Sequence, residues 1–167
     1  DTSGTFNVTF TASDDNPLGC SDTQTVTVVV APPFVTINNG AFSESFFSPS
    51  ELIENVLVTG GCSAVDNFES QVFEGPLGPA DITTKSYGYF TRGGTDFPFE
   101  SGIVITSGTA YGGGNVVSNP TVAGFNNLSG DIDLEDALGI NNTGDATFIK
   151  FNFTPTTDNI SFNYFSI

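Results

Sequence analysis

Hydrophobic and polar positions alternate with a period of two along much of this chain. Over Thr5–Ala12, Phe6, Val8, Phe10 and Ala12 fall on one side and Thr5, Asn7, Thr9 and Thr11 on the other, as in a half-buried strand. Thr23–Val30 repeats the pattern, with Val26, Val28 and Val30 against Thr25 and Thr27. The turn-rich Ser13–Asp22 segment between them predicts an antiparallel hairpin. A two-stranded hairpin is marginal in water, so its remaining strands are expected before Asp1 in a longer polypeptide or in the domain that follows. Ala31-Pro32-Pro33 reads as a stiff linker, because proline fixes φ and donates no backbone hydrogen bond.

Beyond the linker the period changes once. Ser48-Pro49-Ser50-Glu51 is a helix start, with Ser48 as N-cap, Pro49 in the first turn and Glu51 placed to reach back to the cap. Leu52, Ile53 and Val56 give a short amphipathic helix that should stop by Thr59-Gly60-Gly61. Strand and turn then alternate, with strands predicted at Val72-Phe73, Tyr87–Phe90, Ile103–Thr106, Ala146–Thr154 and Ile160–Phe165. The last two are expected to pair as a hairpin, Phe148–Phe153 with Ile160–Phe165, around a turn at Pro155–Asn159. The fold class is all-β, an antiparallel sandwich with one or two short helices.

Composition supports this picture, with 17 Phe but no Trp, Met or His, and 19 Gly and 9 Pro spread through the chain. Three basic residues, Lys85, Arg92 and Lys150, face 19 acidic ones, a formal charge of −16 that repels nucleic-acid phosphates and anionic membrane surfaces. No apolar run is long enough to span a bilayer. The apolar segment running into Ile167 suggests a piece of a longer protein. Cys20 and Cys62 permit one disulfide, or stand as two separate small thiols.

Lack of histidine removes Ser-His-Asp and Cys-His catalysis and the usual zinc sites, so no catalytic residue and no cofactor is assigned. The tightest carboxylate cluster is Asp131, Asp133, Glu135 and Asp136. On an extended backbone Asp131, Asp133 and Glu135 would share one side, and calcium is the metal whose flexible oxygen coordination would suit them. Alternatively Asp133 or Ser129 caps a short helix over Leu134–Leu138, a reading preferred because the Asp-x-Asp-x-Asp-Gly spacing of a calcium loop is lacking. Asp14, Asp15 and Asp22 form a second acidic loop, again either a calcium junction or a solvated turn. Tyr87, Tyr89 and Tyr111 are candidate stacking platforms for surface glycans, and equally ordinary tyrosines of a β-sheet edge.

Three stretches carry a family likeness: Leu57–Asn67 (LVTGGCSAVDN), Ser86–Gly108 (SYGYFTRGGTDFPFESGIVITSG) and Asp145–Phe165 (DATFIKFNFTPTTDNISFNYF). Together they resemble the choice-of-anchor L domain, and the hairpin before them resembles the last two strands of an immunoglobulin-like repeat. The resemblance implies a large exported surface protein, mostly of the Bacteroidota, with type IX secretion and a separate C-terminal secretion or anchoring signal. It also implies residues 1–30 as the end of an immunoglobulin-like repeat, 31–36 as linker and 37–167 as the family domain. The expected function is non-enzymatic: a segment of an adhesin or surface-filament protein, acting as spacer and contact module. Its expected partners are neighbouring domains or subunits, the secretion machinery during export, and surface glycans. The alternatives are a filament subunit completed by strand exchange, and a glycan-binding or glycoside-active domain with two carboxylates about 5–10 Å apart across a groove.

Overall fold

A computed structural model describes residues 4–13, 19, 21–32, 34–58, 64–115, 126–155, 158 and 161–166. Its strands are all antiparallel and form one three-stranded and two two-stranded sheets, accompanied by two short helices. The fold is all-β. Cys20, Cys62, Asp14, Asp15 and the Thr59–Gly61 helix stop lie outside the described residues.

β1 (Gly4–Ser13) pairs with β2 (Ser21–Val30) along its whole length. Phe6 stands opposite Val28 and Val8 opposite Val26, while Asn7 faces Thr27 and Thr9 faces Thr25. The alternation therefore sorts into one apolar and one polar face, as opposed residues of an antiparallel pair share a face. The polar face is held by Thr27 donating to Asn7 at 3.0 Å and by a Thr9–Thr25 hydroxyl contact at 3.2 Å. The apolar face stays exposed.

The core forms around β5 (Tyr87–Thr91), which lies between β3 (Thr36–Ile37) and β6 (Ser101–Ile105). Ile37 opposes Phe90, and Tyr87 opposes Ile105. Against this sheet packs α1 (Pro49–Leu52), whose Ser48 cap works as its sequence predicts. The Ser48 side chain accepts from the Glu51 N–H, and the Glu51 carboxylate accepts from the Ser48 N–H at 2.8 Å. That backbone N–H, and then the Ser48 hydroxyl donating to the same carboxylate at 2.7 Å, hold the Glu51 carboxyl below the usual carboxylate range. The helix passes into a wider π turn over Ile53–Leu57, and Leu52 and Ile53 are fully buried.

The third sheet corrects the predicted C-terminal hairpin. β7 (Phe148–Thr154) pairs with β4 (Ala64–Gln71), setting Val65 opposite Phe153 and Gln71 opposite Phe148. Phe68 and Phe151 meet with ring centroids 6.3 Å apart. Residues 161–166 form no strand, and Phe162 is 58% exposed despite the alternation around it. Val72-Phe73, predicted as a strand, follows β4 as irregular chain: Phe73 N–H donates to the Ser86 hydroxyl and Phe73 C=O accepts from Ser86 N–H. β4 escapes a pattern search because it is polar and interrupted by a register shift between Asp66 and Glu69, where Asn67 takes φ 52°.

Candidate functional site

The residues that carry the family likeness are largely engaged in scaffolding. Tyr87, the first residue of β5, is fully buried and donates its hydroxyl proton to Glu74 at 2.7 Å. Burial and then the Glu74 carboxylate push its phenol well above the ordinary tyrosine value. Beside it Lys85 is also fully buried, with its ammonium 5.1 Å from the Tyr87 ring centroid and no hydrogen-bond partner among the described residues. Desolvation pushes the Lys85 pKa down, opposed by the charges of Glu74 and Glu51.

Gly88 leaves the space that the Asn38 amide fills. Asp145, in the Asp-Ala motif, adopts φ 54° and accepts from the N–H groups of both Asn126 and Leu128, at 3.1 and 3.0 Å. Asn126 in turn donates to the carbonyls of Ser107 and Gly108 at the end of the Ser-Gly-Ile-Val-Ile-Thr-Ser-Gly stretch. The motifs thus tie to one another through buried and half-buried polar groups, which must be paired to be tolerated.

The acidic segment folds as a helix, not as an extended edge. α2 (Ile132–Leu138) is capped by Asp131, whose carboxylate accepts from the Leu134 N–H at 3.0 Å; the helix-cap expectation named Asp133 or Ser129 instead. Asp133 pairs with Lys150 at 3.1 Å on the surface. Glu135 turns to Thr143, accepting from its N–H and hydroxyl at 2.7 and 2.8 Å. Asp136 is exposed. Among the described residues no group of three or more acidic side chains is disposed to hold a metal, so the convergence expected of Asp131, Asp133 and Glu135 does not form. The helical backbone divides their directions, and each of the three finds a different partner.

The three tyrosines are not brought together as a platform either. Tyr87 is inside, and Tyr89 is half-buried with its ring edge against Phe42, centroids 5.9 Å apart. Tyr111 alone is open, at 36% exposure, and it lines a cleft of about 310 Å³. Pro32, Phe34, Asn39, Gly40, Ile82, Thr83 and Asn115 are among the residues that line it with Tyr111. Asn115 locks the arrangement: its carbonyl oxygen accepts from Ile37 N–H at 3.1 Å, and its amide donates to the Ile37 and Tyr111 carbonyls at 2.7 and 3.1 Å. The sequence signals for these residues are the Asn38-Asn39-Gly40 and Gly114-Asn115 pairs, since asparagine is enriched among non-glycine residues at positive φ.

A family model for the choice-of-anchor L domain matches residues 37–166. The chain belongs to the choice-of-anchor L domain family. No curated protein and no solved structure gives a match. Membership marks a surface-associated protein, placed outside the cell or on its surface. No helix among the described residues is long and apolar enough to cross a membrane. Within the choice-of-anchor L domain the first recognition stretch runs into the start of β4, the second covers the β5–β6 hairpin and the third contains β7. β1 and β2 precede the matched region.

Proposed function

We propose that this chain is a non-catalytic segment of a secreted bacterial adhesin or surface-filament protein, in which it serves as a spacer and contact module. The observation that carries the reading is the use to which the motif side chains are put. Tyr87 and Asp145, within the likeness, and Asn38 and Asn126, which bind to it, direct their hydrogen-bonding groups to backbone or to the Glu74 carboxylate. The cleft at Tyr111 is lined, among the described residues, by uncharged side chains rather than by the facing carboxylates of a glycosidase groove. A module whose polar side chains tie its own strands and loops together suits a protein that presents and separates domains. The formal charge of −16 keeps such a surface soluble and turns it away from anionic membranes and nucleic acid.

Type IX export, a Bacteroidota host and an immunoglobulin-like repeat completed by strands outside residues 1–30 belong to the same proposal. Strand exchange between subunits is a second reading, favoured by one observation: Phe162, Tyr164 and Phe165 are exposed on a segment that pairs with no described strand. Size measurement of the purified chain separates the two. Monomers at micromolar concentration support the spacer, whereas concentration-dependent filaments that disappear on truncation after Pro155 support strand exchange. Incubation with a panel of chromogenic glycosides tests the non-catalytic reading directly, and turnover that follows the purified protein would overturn it.

A further inference from the structure

The Tyr111 cleft has three properties that together specify a ligand. Its volume of about 310 Å³ lies at the small end of ligand clefts, which run from roughly 300 to 1,000 Å³. Among the described residues none that lines it is charged, although the chain carries 19 carboxylates. An anion would meet the repulsive field of the whole protein and no cation to offset it, while a cation would find no carboxylate in the lining. A ligand for this cleft is therefore neutral and polar.

The lining is also built in advance. Asn38 and Asn115, both lining residues, hold left-handed backbone at φ 49° and 67°. Such conformations in non-glycine residues persist only where surroundings over-determine them, and they cluster at ligand sites. Here the determinants are visible. Both ends of the Asn38 amide are bonded to β5, and the Asn115 amide fixes the Tyr111 carbonyl, so the segment bearing the open ring is anchored to β3. The same lining holds neutral hydrogen-bonding groups with capacity left over. Asn39 uses its carbonyl oxygen on Ala41 N–H, and the Thr83 hydroxyl donates to Asp81, leaving an amide donor and hydroxyl lone pairs.

We propose that this cleft binds a neutral saccharide of one or two rings, stacked on Tyr111 and hydrogen-bonded by Asn39 and Thr83. An aromatic face with an adjoining rim of amide and hydroxyl groups matches the apolar face and equatorial hydroxyls of a pyranose. The inference rests on the contact role proposed above and gives it a ligand class. It also narrows the three tyrosines singled out from the sequence to one, since Tyr87 and Tyr89 are committed to packing.

The test uses the 167-residue chain against immobilised neutral di- and trisaccharides of glucose, galactose, mannose and N-acetylglucosamine, beside sulfated and uronic-acid counterparts. Saturable binding to a neutral member is expected, weakened by at least about tenfold in Tyr111→Ala, a loss of about 1.4 kcal/mol. Gly40→Phe is a second variant that keeps the proposal falsifiable if Tyr111→Ala folds poorly. A Cβ at Gly40 meets nothing nearer than 3.7 Å, so the fold accepts a side chain there while the cleft mouth is obstructed. Binding confined to charged glycans, no binding to any member, or neutral-glycan binding untouched by both variants would overturn the proposal. Failure here leaves surface presentation intact, because that is read separately by protease access on whole cells.

Discussion

The side-chain amide of Asn38 occupies the space where a β-carbon on Gly88 would stand. Its Nδ2 donates to the Tyr87 carbonyl at 3.0 Å and its Oδ1 accepts from the Tyr89 N–H at 3.1 Å, so Asn38 grips β5 on both sides of the glycine. The short strand β3 is thereby prolonged by a side chain acting as backbone. Gly88→Ala is expected to destabilise the domain by about 2–4 kcal/mol, combining overpacking with the loss of buried hydrogen bonds. Chemical denaturation gives the answer, and a change below 0.5 kcal/mol, taken as roughly the noise of surface substitutions, contradicts this contact.

The pairing of β7 with β4 makes opposite forecasts for two phenylalanines that look alike in sequence. Phe162→Asp is expected to leave stability within about 0.5 kcal/mol, because the side chain is already in water. Phe151→Asp, which strips the partner from Phe68 and puts a carboxylate in its place, should cost several kcal/mol. Melting temperatures of the two variants decide the point, and a larger loss in Phe162→Asp would restore the C-terminal hairpin.

Tyr87 gives the domain an alkaline limit. Its folded phenol holds its proton more tightly than the unfolded one, so its contribution is complete below about pH 10, the ordinary tyrosine value, and declines as pH rises above it. Tyr87→Phe removes that dependence and costs about 1–2 kcal/mol at neutral pH through the unpartnered Glu74. Denaturation midpoints from pH 8 upward, compared between the two proteins, isolate the phenol; parallel curves would exclude it.

Lys85 behaves as a cost carried by the core. An ammonium fully buried without a hydrogen-bond partner among the described residues is penalised by desolvation, and Lys85→Met should raise stability by about 1–3 kcal/mol at neutral pH. A destabilised Lys85→Met would show instead that the charges of Glu74 and Glu51 outweigh that penalty.

Calcium is not expected to act through α2. Any difference between melting in calcium and in chelator should be the same in Asp133→Asn with Asp136→Asn as in the unchanged chain, since a ligand stabilises only what it binds in the folded state. A calcium-dependent rise that Asp133→Asn and Asp136→Asn together abolish would reinstate the cation site.

What the sequence makes legible is what local chemistry decides. The Ser48 capping box closes within four residues, and the β1–β2 alternation survives intact because its turn joins neighbours. β4 was hidden because its partner lies about eighty residues away and its polar, bulged sequence becomes a strand only once β7 is beside it. In the acidic segment both Asp131 and Asp133 could cap; long-range contacts of Glu135 with Thr143 and of Asp133 with Lys150 accompany the choice of Asp131. The cleft is assembled from three separated stretches, and only Tyr111 among its residues carries a recognisable signal as a ligand contact.

Presentation at the cell surface is measured most directly by protease access on intact cells that make the native protein. Added protease, or an antibody raised against the 167-residue chain, is expected to reach the domain before lysis. A domain protected until the cells are broken open would contradict surface presentation.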